Sequence, residues 1–403
     1  MLFGLIAKKG PSVESALSER RTLHTREVER RALPIDAGRA VRALAAEIAA
    51  TLDSTLDDIA RAARTLNDAK LIEQIDARVD ELPAAVRTAM RPPATDAGAT
   101  IVHALPLTDD EFGPTPPSWQ EAAAWSGDRT RRARSMHLDL AMLLLARCAG
   151  EPFGWEGQQN GRLVNNIVPA SGHEDEQSGA SSKTLLTPHT EDAFHPERAH
   201  LLMLGCLRNP DEVATTVSSV HHVELTARQR HLLSKPTLPI LPDVSYGDGH
   251  QRFPTPALPT LWHHDDADAA SATLRYDPAY TPLADADAEF RAAYTHLTSE
   301  LARVRMSASL APGEILLVDN DVVVHGRVPF TARYDGTDRW LKRVNIRIPE
   351  RPRRSAETRE NGYGQHTVTP FRSVGPHFPS TGGSVPDRTG QDATHDRGPL
   401  GYP

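Results

Sequence analysis

The chain has 403 residues, 39% hydrophobic and 24% charged, with 53 acidic against 45 basic side chains and a formal net charge of -8. That balance disfavours a nucleic-acid-binding protein, which needs a basic face. Cys148 and Cys206 are its only cysteines, which excludes a disulfide-rich secreted scaffold. No apolar run reaches the roughly 18 residues that span a bilayer. The opening Met1–Ala7 run precedes Lys8 and Lys9, the reverse of a signal peptide, so a cytoplasmic protein without membrane or nucleic-acid partners is expected.

The amino-terminal part, residues 1–97, reads as mainly helical and packed on a core. Behind Asp36, residues Leu44, Ile48, Leu52, Leu56 and Ile59 fall near one helical face. Leu71, Ile72, Ile75 and Val79 suggest a second helix, and Pro83 stands where a third can start. Residues 98–105 suggest a strand, Gly113–Pro117 a loop, and 134–148 a packed helix through Met136, Leu140, Leu143 and Leu144. From 160 onward, short apolar segments follow one another at 163–168, 184–187, 200–207, 213–220, 313–319, 321–325 and 341–348, broken by Gly, Pro, Asn and Asp. This texture predicts a mainly β fold with flanking helices and a jelly-roll core over 98–350. One helical insert is expected near 285–304, with Phe290, Leu297 and Leu301 inward. No glycine-rich phosphate loop follows a strand, which removes Rossmann and P-loop readings. Residues 351–403, rich in Gly, Pro, Ser, Thr and Arg without apolar periodicity, are expected to form a flexible tail.

The sharpest local feature is Thr187-Pro188-His189-Thr190-Glu191-Asp192. In extended chain, residues i and i+2 share a side, so His189 and Glu191 can hold one metal. His325, closing the β-branched run Val322-Val323-Val324, offers a third ligand. Two imidazoles and a carboxylate form a facial triad with open positions, a set suited to non-haem Fe(II) and shared with some zinc hydrolases. With 18 histidines in the chain, His195, His200, His221, His222, His263 and His264 are the decoys. Downstream, Asp335-Gly336 signals a tight turn that returns a strand beside His325. Arg339 on that return could grip a dicarboxylate. Arg343 shares its face through extended i,i+4 spacing or a bulge; the plain alternative is two surface arginines.

Several stretches carry a family resemblance: Gln158–Val164, Gly172-His173-Glu174-Asp175-Glu176-Gln177, His189–Pro196, Leu207-Arg208-Asn209-Pro210-Asp211 and His325–Arg343. Over about residues 70 to 350 the chain resembles the clavaminate synthase-like Fe(II)/2-oxoglutarate oxygenases, especially the branch that hydroxylates free amino acids such as arginine. The resemblance implies a double-stranded β-helix. It makes His189, Glu191 and His325 the iron ligands and the catalytic centre, with Fe(II), 2-oxoglutarate and O2 consumed together. Arg339 would take the distal carboxylate of 2-oxoglutarate, with Thr216 adding a hydroxyl. Arg343 would hold the substrate carboxylate and Gln158 the α-amino end, assisted by the free oxygen of Glu191. Asp243 and Asp277 would line the side-chain end, with Ala279 where the arginine hydroxylases carry a further aspartate. A halogenating relative would need Gly or Ala at 191, so Glu191 implies oxygen transfer. The expected reaction is hydroxylation at C3 or C4 of a free L-amino acid, arginine or an arginine-like base, in natural-product biosynthesis. Lysine, citrulline or a cyclic arginine derivative is the alternative substrate, and desaturation the alternative outcome. A jelly-roll binding protein that has lost its chemistry is the competing class.

Overall fold

A computed structural model of the protein describes residues 27–51, 62–103, 105–108, 111–246, 256–262, 272–351 and 353–371. Helix α1 (Ile35–Thr51) starts beside Asp36 and buries Val41, Leu44, Ala45 and Ile48, a spacing that forms one apolar stripe. Leu52, Leu56 and Ile59, expected to extend it, lie outside the described residues. Helix α2 (Ala69–Arg78) begins at Asp68, whose carboxylate accepts from the Lys70 amide at 3.0 Å. It buries Leu71, Ile72 and Ile75, and Val79 opens a 3-10 turn. Helix α3 (Ala84–Ala89) follows Pro83, and α4 (Trp119–Ala124) is capped by the Ser118 hydroxyl. Helix α5 (Arg129–Ala149) starts five residues before its expected 134, because Asp128 caps the Arg131 amide at 2.7 Å.

The expected apolar segments each carry a strand: β4 (Asn165–Ile167), β5 (Leu186–His189), β6 (Leu201–Arg208), β7 (Thr215–Ser219), β11 (Glu314–Asp319), β12 (Val323–Arg327) and β13 (Trp340–Arg347). Strand β2 (Ala99–His103) falls where 98–105 was read. Strands β1 (Glu29–Ala32), β3 (Glu151–Trp155), β8 (Leu261–Trp262), β9 (Thr273–Leu274), β10 (Met306–Ala308) and β14 (Thr367–Val368) lie outside the segments expected to be strands. Among the described residues the larger sheet runs β1-β2-β11-β6-β13-β3-β14, with β4 also on β13. The smaller runs β10-β7-β12-β5. The two form an open-edged jelly roll.

Strand β6 is buried along its whole length because both sheet faces are covered. Leu202, Leu204 and Cys206 meet Val217, Met306 and Val323 of the smaller sheet. Leu201 and Met203 meet Leu140, Leu143 and Leu144 of α5. The helix comes so close that a Cβ at Gly205 would lie 2.6 Å from the Met142 sulfur. Helix α6 (Ala227–Leu233) opens on a Thr226/Gln229 capping box. The insert α7 (Ala288–Arg303) buries Phe290, Leu297 and Leu301 in a cluster with Val324 of the smaller sheet. Cys148 and Cys206 are free thiols. Among the described residues no helix is long and apolar enough to cross a membrane.

Residues 353–371 differ from the flexible tail their composition suggests. Their ordering rests on charge rather than apolar periodicity. Glu357 is buried and accepts from Arg198 at 2.7 Å and from Arg275 at 3.3 Å. Glu360 takes two bonds from Arg275, at 2.9 and 3.0 Å, and Arg353 meets Asp321 at 2.6 Å. Tyr363 and Phe371 are buried, and β14 pairs with β3.

Burial opposes ionisation of Glu357, yet Arg198 and Arg275 bring its carboxyl down to about 2. A depressed carboxyl stabilises the fold above its ordinary value near 4.5 and loses that contribution as pH falls through about 2. Glu357→Gln is expected to cost about 2 kcal/mol at neutral pH, the loss of its charge-assisted bonds from Arg198 and Arg275, which keep Asp321 and Glu360 as partners. Denaturant unfolding as a function of pH checks this: the gap between variant and wild type should close between about 4.5 and 2.

Candidate functional site

Strand β12 runs antiparallel to β5 and puts His325 opposite His189. The strand expected to carry both His189 and Glu191 stops at His189, and Asp192 turns the chain with φ 52°. Glu191 is aimed instead by Asn320, which donates to its carbonyl at 3.0 Å and accepts from its amide at 2.8 Å. One atom from each of His189, Glu191 and His325 lies within 4.8 Å of the others. Glu191 Oε2 is 3.3 Å from His325 Nε2 and 3.7 Å from His189 Nε2. His189 Nδ1 bonds the Thr187 carbonyl at 2.8 Å, so Nε2 turns its lone pair inward. Burial opposes the charge on Glu191, but Arg343 and the imidazoles hold its carboxyl well below the usual carboxylate range. Two nitrogens and one carboxylate oxygen, converging with one side open, fit a divalent iron. His195 and His200 are buried and pushed down to about 4 and about 3 by desolvation. His195 bonds the Gln365 carbonyl at 3.1 Å, and His200 accepts from the Ile348 amide at 2.9 Å. His263 and His264 lie outside the described residues.

A cavity of about 370 Å³ opens above the triad and is lined by Arg339, Arg343, Gln158 and Asp243 among others. Arg339 and Arg343 share the cavity face through the i,i+4 spacing of extended chain. The register shift sits instead on β6, where Leu207 is skipped opposite Trp340 and Leu341. Arg339 is buried, and desolvation brings its guanidinium down to about 10. Its side-chain partner is the Thr215 hydroxyl at 3.0 Å, while its Nε has none. Such a cation calls for an incoming anion. Thr216 does not fill the place expected of it. It pairs with Gly326, whereas Thr215 pairs with Arg327 on the face that carries His325. Alternation along β7 therefore turns Thr215 to the cavity and Thr216 away. Arg327, also lining the cavity, is held by the Ser181 and Thr184 carbonyls.

Arg343 bonds Glu191, Gln158 Oε1 at 2.6 Å and Asn165 Oδ1 at 3.0 Å, and its Nε has no partner. The oxygen of Glu191 expected to assist a substrate amine is thus engaged by Arg343. Gln158 Nε2 donates to the Ser245 hydroxyl at 3.2 Å. Asp243 reaches the cavity wall, and burial raises its carboxyl. Asp277, expected at the same end, is not among the lining residues. Its carboxylate caps the Ala279 amide at 3.1 Å, and its carbonyl takes the Thr281 hydroxyl at 2.6 Å. Burial raises Asp277 to about 6 against the pull of His189. Thr215, Ser245, Asn165 and Arg327 were missed in the sequence. Only Arg327, two residues after His325 in the same strand run, carried a signal that spacing could have found.

The model of the taurine catabolism dioxygenase TauD, TfdA family matches residues 142–345. The chain is 34% identical to the enduracididine beta-hydroxylase of Streptomyces hygroscopicus over 336 residues, 76% of this chain and 94% of that one. It is 32% identical to the L-ornithine/L-arginine 3-hydroxylase of Catenulispora acidiphila, covering 61% of this chain and 75% of that one. The non-heme iron oxygenase OrfP, solved with Fe and alpha-ketoglutaric acid, superposes with a TM-score of 0.65 at 33% identity, covering 83% of this chain and 98% of OrfP.

Metal binding by the native state alone raises stability by mass action. Fe(II) or Co(II) added anaerobically to metal-free protein is expected to raise its melting temperature. His325→Ala should remove that rise and His221→Ala should keep it, as differential scanning fluorimetry can read.

Proposed function

Because the chain belongs to the TauD/TfdA dioxygenase family, we propose that it hydroxylates C3 or C4 of a free guanidino amino acid, arginine first, through a triad of His189, Glu191 and His325. The family assignment makes it a non-haem Fe(II)/2-oxoglutarate-dependent dioxygenase. When bound, the iron couples oxidative decarboxylation of 2-oxoglutarate, to succinate and CO2, with activation of O2 to an oxidant that replaces an aliphatic hydrogen by hydroxyl. The protein's part is placement. His189, Glu191 and His325 hold the metal from one side. Arg339 and Thr215 receive the distal carboxylate of the cosubstrate. Arg343, through its unmatched Nε, takes the α-carboxylate of the amino acid, and Gln158 orients the α-amino end. Gripped there, the substrate brings C3 or C4 nearest the triad and its cationic end toward Asp243.

The observation that carries this reading is a buried, carboxylate-free guanidinium, Arg339, in the same cavity as the converging triad. The substrate class draws support from two relatives, whose names specify enduracididine, arginine and ornithine. The same chemistry fits a step that tailors a basic amino acid for natural-product assembly. A cyclic guanidino acid is the alternative to arginine within this class, and lysine and citrulline are the competing substrates outside it.

Arg339→Ala is expected to raise the KM for 2-oxoglutarate tenfold or more, since an unmatched buried carboxylate costs about 2–3 kcal/mol. Thr215→Val should raise it less, and Thr216→Val least. Steady-state succinate release reads all three. Iron-loaded enzyme with 2-oxoglutarate and a panel of free amino acids should give a product one oxygen heavier from arginine or a cyclic guanidino acid. Turnover confined to lysine, or to neutral amino acids, would overturn the guanidino assignment.

A further inference from the structure

The turn that carries Asp243 and Ser245 has two faces. It is a single 3-10 turn, Val244–Tyr246, closed by the Tyr246 amide on the Asp243 carbonyl at 3.1 Å. Asp243 Oδ1 accepts from the Ser245 amide at 2.7 Å. Asp243 and Ser245 line the cavity. Tyr246 points the other way, into a buried aromatic group, with ring centroids 4.8 Å from Phe194 and 5.9 Å from Trp155. Its hydroxyl donates to Asp192 Oδ1 at 2.5 Å. Asp192 follows Glu191 directly, and its left-handed φ of 52° directs its carboxylate to the buried side. There Trp155 Nε1 donates to Oδ2 at 2.7 Å and Asn345 Nδ2 at 3.3 Å.

Among the described residues, this hydroxyl makes the side-chain hydrogen bond that joins the Asp243–Ser245 turn to the loop carrying Glu191. The other side-chain link of the turn to the site is Ser245 to Gln158. We propose that Tyr246 is a positioning residue for substrate selectivity: through Asp192 it fixes Asp243 and Ser245 at a set distance from the Glu191 carboxylate. The proposal deepens the free-amino-acid reading and rests on it. Tyr246 touches neither substrate nor metal. Its bond sets how far the acidic wall stands from the clamp formed by Arg343, Gln158 and Glu191, and so which length and charge of side chain the cavity accepts. Removing the hydroxyl keeps the ring packing and releases that distance.

The test compares wild type with Tyr246→Phe, measuring kcat and KM for arginine and for citrulline, its neutral counterpart of similar size, along with KM for 2-oxoglutarate and Co(II) affinity. The KM for arginine is expected to rise about tenfold, the scale of one lost buried hydrogen bond. The preference for arginine over citrulline in kcat/KM should fall by a similar factor, and more succinate should form per hydroxylated product. KM for 2-oxoglutarate and Co(II) affinity should stay within about twofold. Asp192→Ala, which removes the acceptor of the Tyr246 hydroxyl, should move arginine KM in the same direction and serves if the first variant does not fold. Unchanged arginine KM and selectivity in both variants would overturn the proposal. So would parallel losses of Co(II) affinity and 2-oxoglutarate binding, which would make Tyr246 a support of the metal loop. Failure of the wild-type enzyme to turn over any amino acid overturns the underlying reading instead, a result separate from loss confined to the variants.

Discussion

A buried carboxylate, Glu191, and a mostly buried guanidinium, Arg343, stand against each other in the cavity wall, and neither is tolerable alone. Leaving either charge unpaired inside a protein costs about 3–5 kcal/mol. The pair adds little net stability, but it fixes orientation. One oxygen of Glu191 faces the two imidazoles, while the other accepts from Arg343. Gln158 and Asn165 complete the cation's partners and tie it to the chain after β3. A metal position and an anion-binding position are thereby held at one fixed separation.

Strand β13 makes this possible because it works on both faces. Leu341 and Arg343 look into the cavity, as Arg339 does one residue before the strand. Trp340 and Lys342 look toward α5, where Lys342 meets Asp139 at 2.8 Å and Asn166 at 2.8 Å. Arg162 closes on the same aspartate. Asn166 in turn bonds Gln159 through its backbone, so the buried charges beneath the sheet brace the segment that carries Gln158 above it. Beneath the metal loop, Arg275 does similar work: it donates to the Ala193 carbonyl at 2.9 Å while holding Glu357 and Glu360.

Local features of the sequence were the most legible. The strand-end His325 and the His189/Glu191 spacing pointed to groups that the fold brings together, and the stripe of Leu44 and Ile48 pointed to a helix. Features that depend on tertiary register were not legible. Thr215 and Thr216 are equivalent in sequence, and only the pairing of β7 with β12 decides which faces Arg339. Asp243 and Asp277 both sit in capped turns, and only the placement of those turns brings one to the cavity wall. Residues 353–371 read as tail because their order comes from Arg198 and Arg275, which lie 159 and 82 positions away from Glu357. Composition does not record partners at that distance.

The most direct test of the central claim is a crystal structure of the enzyme grown anaerobically with Fe(II), 2-oxoglutarate and L-arginine. The account predicts one metal ion bound by His189, Glu191 and His325, the distal carboxylate of 2-oxoglutarate on Arg339 and Thr215, and the amino-acid carboxylate on Arg343 with Glu191 still facing the metal. A metal held by other residues, or a substrate carboxylate bound away from Arg343, would contradict it.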